Sequence, residues 1–181
     1  MAVKNIPLSA GRLGFTITVA DAEAAAAFYT RAFGATEVAR YLVPDHPPSV
    51  GPVKFVHLRI GAVVVNVSTA NPRDAATMDK WGAKTPAMLK GFSTVFTLYV
   101  DDVDTALTRA MEAGARRVTG PEDTLWGDRV AVIEDPFGHP WGLAKEIEEI
   151  TVEEHNRRWA ELAAKKGKAA PYLVGNAAPQ L

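Results

Sequence analysis

Short runs of alternating apolar and polar residues recur along this chain. The first covers residues 15–19, where Thr16 and Thr18 alternate with apolar side chains. Successive side chains of a strand point to opposite faces, so a period of two predicts a strand with one buried face. The other face of this strand therefore carries hydroxyl groups.

After this strand the pattern becomes helical. Asp21 stands where a helix N-cap belongs, residues 22–33 place apolar side chains on one helical face, and Gly34 is typical of a C-cap. Three β-prone runs follow, at residues 36–43, 53–60 and 62–68. The first third of the chain is thus predicted to fold as β-α-β-β-β.

The same order returns 81 positions further along the chain. Phe96–Val100 repeats the alternation of the first strand, and the same offset carries Asp21 onto Asp102. A second amphipathic helix ends at Gly114, and two strand-like runs around the turn 135–138 close the unit. This repeat predicts an α+β protein of two tandem βαβββ modules.

The repeat also sets the domain boundaries. We assign residues 13–70 to the first module, 71–91 to a linker and 92–150 to the second module. Residues 1–12 form an N-terminal arm, and residues 151–181 form a C-terminal helix followed by an extended tail. The helix opens on a capping-box pattern and carries an apolar stripe.

Composition narrows the function without fixing it. The chain has 181 residues, 48% of them hydrophobic, no cysteine and a formal net charge of -1. The balanced charge gives no electrostatic case for nucleic acid or an anionic membrane, and the longest aliphatic run, residues 62–65, cannot span a bilayer. Without cysteine, disulfides, thiolate chemistry and cysteine-bound zinc are excluded. We expect a cytoplasmic protein whose partners are a small molecule and a second copy of itself.

Two features of the sequence are similar to those of one known family. The paired first strands, each leading to a capping aspartate, resemble those of the vicinal oxygen chelate superfamily, which includes glyoxalases, bleomycin resistance proteins and ring-cleaving dioxygenases. The closing segments Trp126–Arg129 and Asp135–Trp141 look like the PhnB-like branch. The similarity extends from about Leu13 to Glu154. It implies that each module curves its mixed sheet as a half-barrel around a cleft, but the superfamily hosts many reactions on this scaffold.

The resemblance also locates the metal site of the metal-using members. There, the first and last strands of each module each give one ligand to a divalent ion. Carried over to this chain, the four positions fall near Gly14, Val65, Val95 and Gly142. None of these side chains can bind a metal, which needs imidazole, carboxylate or thiolate donors. A shift of one residue offers at best one poor ligand among Phe15, Val64 or Asn66, Thr94 or Phe96, and Trp141 or Leu143. We therefore expect no metal and no other cofactor.

Several residues could still bind a ligand. His57 shares one face of its predicted strand with Phe55 and Arg59, and it is either a packing residue or a candidate general base or hydrogen-bond donor. Arg129 beside Trp126 could hold a carboxylate or phosphonate through forked hydrogen bonds, or could belong to a local ion pair. The predicted ligand-binding residues are Thr16, Thr18, His57, Thr97, Tyr99, Trp126 and Arg129.

Three functional hypotheses follow. The first is a metal-free protein that binds an aromatic or carboxylated organic molecule in the cleft, with sequestration of a toxic compound as the simplest role. The second is a lyase, isomerase or dioxygenase of the same superfamily, either metal-dependent or using His57 as an acid or base. The third is a vestigial cleft on a protein that works through its surfaces. Because half-barrels leave sheet edges exposed, we also expect a homodimer, with the tail helix and its proline-containing extension as the candidate contacts.

Overall fold

The computed structural model describes residues 14–42, 53–70 and 75–165. The strands are β1 (Phe15–Val19), β2 (Thr36–Leu42), β3 (Val53–Ile60), β4 (Val63–Thr69), β5 (Phe96–Tyr99), β6 (Arg116–Asp123), β7 (Asp128–Glu134) and β8 (Pro140–Glu146). The helices are α1 (Ala22–Phe33), α2 (Ala75–Trp81), α3 (Pro86–Leu89), α4 (Val103–Ala113) and α5 (Val152–Lys165). The predicted N-terminal arm and extended tail lie outside the described residues.

Two four-stranded mixed sheets confirm the α+β prediction. Their strand orders are β1-β4-β3-β2 and β5-β8-β7-β6. In each sheet the first strand pairs in parallel with the last, and the remaining pairs are antiparallel. Within the described part of the chain, no backbone ladder joins one sheet to the other, so each sheet stays open.

The core lies on the helix side of the two sheets. Small residues of α1 let its aromatic side chains, Phe28 and Tyr29 among them, reach the buried faces of the strands. Helix α1 also packs against α4, and Arg109 of α4 donates from Nε to the carbonyl oxygen of Ala32 at 2.7 Å. A guanidinium at this position satisfies a last-turn carbonyl and favours the negative end of the helix dipole. The two modules are therefore joined mainly through their helices.

Equivalent caps confirm the internal repeat. The Asp21 carboxylate accepts hydrogen bonds from the first turn of α1, and the Asp102 carboxylate accepts one from Thr105 N at 2.7 Å in α4. Gly34 and Gly114 end these helices at φ angles of 68° and 114°. Because such angles strain residues that carry a Cβ, glycine is the residue that suits both ends.

One buried carboxylate ties the two modules together. Asp135, in the turn between β7 and β8, is 3% exposed. It accepts hydrogen bonds from the Tyr29 hydroxyl at 2.6 Å and from the Trp141 indole N–H at 3.1 Å. The backbone N–H groups of Phe137 and His139 each donate to it at 2.9 Å. Tyr29 belongs to the first module, so this carboxylate links α1 to the closing hairpin of the second.

The predicted C-terminal helix is confirmed as far as the structure describes it. Thr151 Oγ1 accepts a hydrogen bond from Glu154 N at 3.2 Å, as the capping pattern predicts. Across the described residues, no helix combines the length and apolar composition that a bilayer crossing needs.

We expect Tyr29→Phe to lower the free energy of unfolding by about 2 kcal/mol at pH 7, because Asp135 loses its shortest hydrogen bond in a buried site. Burial and the charge of Asp135 raise the pKa of the Tyr29 hydroxyl well above its ordinary value. Above pH ~10 the unfolded chain releases this proton first, so the wild type loses stability as the pH rises and the variant lacks that part of the loss.

Urea unfolding at pH 7 and at pH ~11 measures both effects. Tyr99→Phe is the matched control, because the Tyr99 side chain is 65% exposed. Equal losses of stability in the two variants would show that the Tyr29 hydroxyl contributes nothing particular.

Candidate functional site

Each sheet has one face against its helix and another turned away from it, which we call the open face. In the first sheet, Ile17, Val56 and Val67 belong to the core, so their sequence neighbours lie on the open face. The open face of the first sheet carries Thr16, Thr18, Tyr41, Phe55, His57, Arg59, Asn66 and Ser68.

A row of polar side chains crosses the middle of this face. The register pairs Thr16 of β1 with Asn66 of β4, and Asn66 with His57 of β3. Asn66 Nδ2 donates to Thr16 Oγ1 at 3.4 Å, a long hydrogen bond. The Tyr41 ring lies 5.2 Å from the His57 imidazole, measured between ring centroids. The fold therefore brings two predicted site residues, Thr16 and His57, into one row.

The linker covers one end of the same face. A cavity of about 160 Å³ lies between β1 and the segment that runs through α3. Thr16 and Thr18 line it from the sheet, and Leu89 and Phe92 line it from the linker side. Thr18 is 6% exposed, and its carbonyl oxygen lies 3.1 Å from His139 Nε2. Both predicted hydroxyl residues of β1 therefore border a partly covered space.

The predicted hydroxyl residues of the second module lie elsewhere. Thr97 and Tyr99 are on the open face of the second sheet, outside the cavity that contains Thr16 and Thr18. Their partners in β8 are Gly142 and Ala144, which offer no polar side chain. Next to β5, this second open face therefore lacks the polar partners that Asn66 and Ser68 provide next to β1 in the first sheet.

Arg129 lies on the helix side of its sheet, beside the buried residue Ala131. Its Nε donates to Asp104 Oδ2 at 2.8 Å and its Nη1 donates to Asp123 Oδ1 at 2.7 Å. The guanidinium holds the pKa of the Asp104 carboxyl below its usual value. Arg129 thus clamps α4 to the sheet, and the structure does not bring it together with Thr97.

Trp126 lies in the loop between β6 and β7 and is 43% exposed. The next residue, Gly127, fixes this loop to the end of β8, because its carbonyl oxygen accepts a hydrogen bond from Ile147 N at 2.8 Å. No described contact joins Trp126 to the polar row of the first module. Its predicted ligand-binding role stays a prediction.

Five residues of the first open face were absent from the predicted site. They are Tyr41, Phe55, Arg59, Asn66 and Ser68. Arg59 is exposed and forms no ion pair with any described residue. Strand parity already predicts that Arg59 shares the face of His57, which it follows by two positions, although Arg59 was not among the predicted ligand-binding residues. The same rule separates Arg129 from the open face, since it precedes the core residue Ala131 by two.

The side chains present do not fit the divalent ion of the metal-using members. Val65 is buried on the core side, so the open-face residue at the end of the first module is Asn66. Its neighbour in β1 is Thr16, and the equivalent pair in the second module is Thr97 with Gly142. These side chains offer an amide and hydroxyls but no imidazole or carboxylate. Within the ranges that the structure describes, no group of three or more such donors converges elsewhere.

The sequence is similar to one protein family and to individual proteins of other organisms. A family model described as the Glyoxalase/Bleomycin resistance protein/Dioxygenase superfamily matches residues 12–143. An uncharacterized protein of Mycobacterium bovis is 39% identical over 140 residues, a stretch that covers 76% of this chain and 85% of that protein.

Solved structures show the same fold. A glyoxalase/bleomycin resistance protein/dioxygenase family enzyme from Burkholderia phytofirmans has a TM-score of 0.56 at 20% identity, covering 74% of this chain and 96% of its own. The fosfomycin resistance protein FosX from Listeria monocytogenes, solved with Mn(II) and sulfate, has a TM-score of 0.56 at 16% identity and covers 84% of this chain and 99% of its own. At these identities the likeness extends to the fold alone.

The segment through α3, which covers Thr18, lies against the turn that contains Asp135. Gly138 in this turn has a φ angle of 90°, and a Cβ placed there would lie 3.0 Å from Cβ of Pro86 in α3. We expect Gly138→Ala to cost about 1–3 kcal/mol of stability through backbone strain and to push α3 outward.

Chemical unfolding, with amide NMR shifts of Thr18 and Leu89, measures the loss and the displacement. Gly91→Ala is the control, since a Cβ there would meet nothing within 4 Å. If both variants matched the wild type, α3 would not be seated against the turn.

Proposed function

The chain belongs to the glyoxalase/bleomycin resistance protein/dioxygenase superfamily, and we propose that it binds a small aromatic or carboxylated molecule without a metal ion. The site is the open face of the first module, and sequestration of a toxic compound is the simplest role. Membership of the PhnB-like branch and a cytoplasmic location are parts of this proposal.

The observation that carries the proposal is the polar row on a partly covered face. Thr16, Asn66 and His57 stand side by side across three strands. The cavity under the linker continues from Thr16 to Thr18. A concave site with a few converging polar groups and aromatic walls is the usual form of a small-molecule pocket.

The chemistry available on this face suits such a ligand. Tyr41 of β2 and Phe55 of β3 are aromatic residues that pair across the two strands. His57 and Thr16 can direct hydrogen bonds, and Arg59 can pair with a carboxylate through two parallel N–H donors. Aromatic contact supplies most of the buried area, while the polar groups set orientation.

Acid or base catalysis is the second candidate, and the position of His57 favours it. The imidazole lies on the open face, between the Tyr41 ring and the side of Asn66. A histidine at such a position can move a proton to or from a bound molecule. Turnover of a bound compound, lost in His57→Gln, is the result that would favour catalysis over sequestration.

We expect an aromatic carboxylate such as benzoate to shift the amide NMR signals of β1, β3 and β4 and to leave those of β5 and β7 in place. His57→Gln should weaken this binding by about tenfold, the effect of losing one directional hydrogen bond in a partly enclosed site. His155→Gln on α5 is the matched control, because His155 lies outside both open faces. Shifts confined to the second module would contradict the placement of the site.

The same titration, repeated after metal removal and after metal addition, distinguishes the metal-free proposal from the metal-dependent alternative. Treating the protein with EDTA and then adding Zn²⁺ should leave the benzoate affinity unchanged, because the side chains at the family positions cannot coordinate the ion. A stoichiometric divalent ion in the purified protein, or an affinity restored by Zn²⁺, would overturn the metal-free proposal.

A homodimer is also part of the proposal. None of the described residues of α5 is buried, and its apolar stripe includes Val152 and Trp159, which are 72% and 43% exposed. Arg158 fixes the helix to the second module through an ion pair with Glu148 at 2.6 Å. An anchored helix with an uncovered apolar stripe is suited to pack against a second copy.

The variant Val152→Glu should convert the dimer to a monomer, because it places a charge in an apolar contact. Ala164→Glu adds the same charge to α5 outside the stripe that contains Val152 and Trp159, and should leave the dimer intact. Size-exclusion chromatography with light scattering measures the mass. A dimer that survives both changes would remove α5 from the interface.

A further inference from the structure

The cavity between β1 and the linker is lined by a histidine whose tautomer the fold determines. His139 Nε2 lies 3.1 Å from the carbonyl oxygen of Thr18. A carbonyl oxygen only accepts hydrogen bonds, so Nε2 carries the proton and donates it. In the neutral imidazole the other nitrogen, Nδ1, then has no hydrogen and is an acceptor. The link to β1 therefore leaves Nδ1 as the acceptor of His139.

This acceptor nitrogen is unpaired and accessible. Within the part of the chain that the structure describes, no hydrogen bond joins Nδ1 of His139 to another group. In the same part of the chain, Asn66 Oδ1 is the side-chain atom that is both unpaired and shielded from solvent. Nδ1 is therefore unpaired but not shielded, and a molecule in the cavity can reach it.

The hydroxyl group of Thr18 is in the same state. Thr18 is 6% exposed, yet its hydroxyl forms no hydrogen bond with any described residue. Strand alternation places this side chain on the open face, where the residue lines the cavity. Hydroxyls of residues covered to this extent are normally paired. The cavity thus contains two unpaired hydrogen-bonding groups, one from each module.

The charge and the volume of the cavity limit the group that can enter it. Lys84 is the lining residue with a permanent charge, and its ammonium group pairs with Asp79 Oδ1 at 2.8 Å. A charged ligand group would therefore find no unpaired charge of opposite sign among the described lining residues. The volume of about 160 Å³ is close to the ~150 Å³ of an engineered cavity that binds benzene. An uncharged six-membered ring is the group that suits this space.

We infer that this cavity binds an uncharged ring that carries an O–H or N–H group, as a phenol does, and that this group donates to His139 Nδ1. Leu89 and Phe92 on the linker side contact the apolar part of the ring, and the Thr18 hydroxyl is a second hydrogen-bonding group. Any remaining part of a larger ligand lies on the open face beyond Thr16. This inference rests on the proposed function, because the cavity is one end of the same site, and it names the group that enters there.

The test compares phenol with anisole by NMR titration of the full-length protein at pH ~8, so that imidazoles are neutral. We expect phenol to shift the amide signals of Thr18 and Ser93 and to bind about tenfold more tightly than anisole, which keeps the ring and the oxygen but lacks the donor. Long-range proton–nitrogen correlation of the imidazole should show the proton of His139 on Nε2, and phenol should shift the Nδ1 signal. A proton on Nδ1 in the free protein would overturn the inference.

The variant His139→Phe separates the role of this residue in binding from its role in the fold. It keeps a ring of similar shape but removes the acceptor, so the preference for phenol over anisole should disappear while the affinity for anisole stays within about threefold. A merely structural role would weaken both probes equally and leave the preference intact. His155→Phe on α5 is the matched control, because His155 lies outside the cavity.

The outcomes separate this inference from the proposed function. Equal affinities for phenol and anisole would overturn the inference, whereas benzoate binding to β1, β3 and β4 would still support the proposed function. If neither phenol nor benzoate bound, both would be overturned. Because the preference and the imidazole signals are read in the wild type, the test stands even if His139→Phe does not fold.

Discussion

The arrangement of this protein depends on the buried carboxylate of Asp135. Its four hydrogen bonds come from α1 of the first module and from the closing hairpin of the second, so this side chain adds a buried polar link to the helix packing that joins the repeats. Removing a carboxylate from water is costly, and full pairing is what makes the burial tolerable. The Tyr29 hydroxyl, held neutral by burial, is a donor suited to this position. This turn also positions α3, because Gly138 lies close to Pro86. Helix α3 then covers one end of the first sheet.

Joining the modules through their helices has a consequence for function. Helices α1 and α4 pack together, and Arg40 and Arg129 tie each sheet to the first turn of its own helix through Glu23 and Asp104. Charged side chains on the helix side are thus used for structure. The faces turned away from the helices are left open, and the polar residues on them have few structural partners. A ligand would therefore find more polar groups available for hydrogen bonds on the open faces than on the helix side.

Alternation and capping residues were sufficient to predict most of the fold, whereas the site needed the three-dimensional register. The strands, the helices and the tandem repeat follow from local periodicity, which the chain keeps almost throughout. The role of Arg129 did not follow, because an arginine in a strand is compatible with either face until its neighbour Ala131 is known to be buried. The position of Asn66 did not follow either, because only the register pairs it with Thr16 and His57 on the open face.

The two open faces differ, and the difference bears on what the protein can bind. Gly142 and Ala144 offer no polar side chain beside Thr97 on the second face, whereas Asn66 and His57 place hydrogen-bonding groups on the first face. A metal at the four family positions would need imidazole or carboxylate donors, which Thr16, Asn66, Thr97 and Gly142 do not offer. An organic ligand has no such requirement, since one half can fix its polar groups and an apolar surface can cover the rest. The asymmetry is therefore a physical reason to expect recognition by hydrogen bonds and aromatic contact in place of coordination.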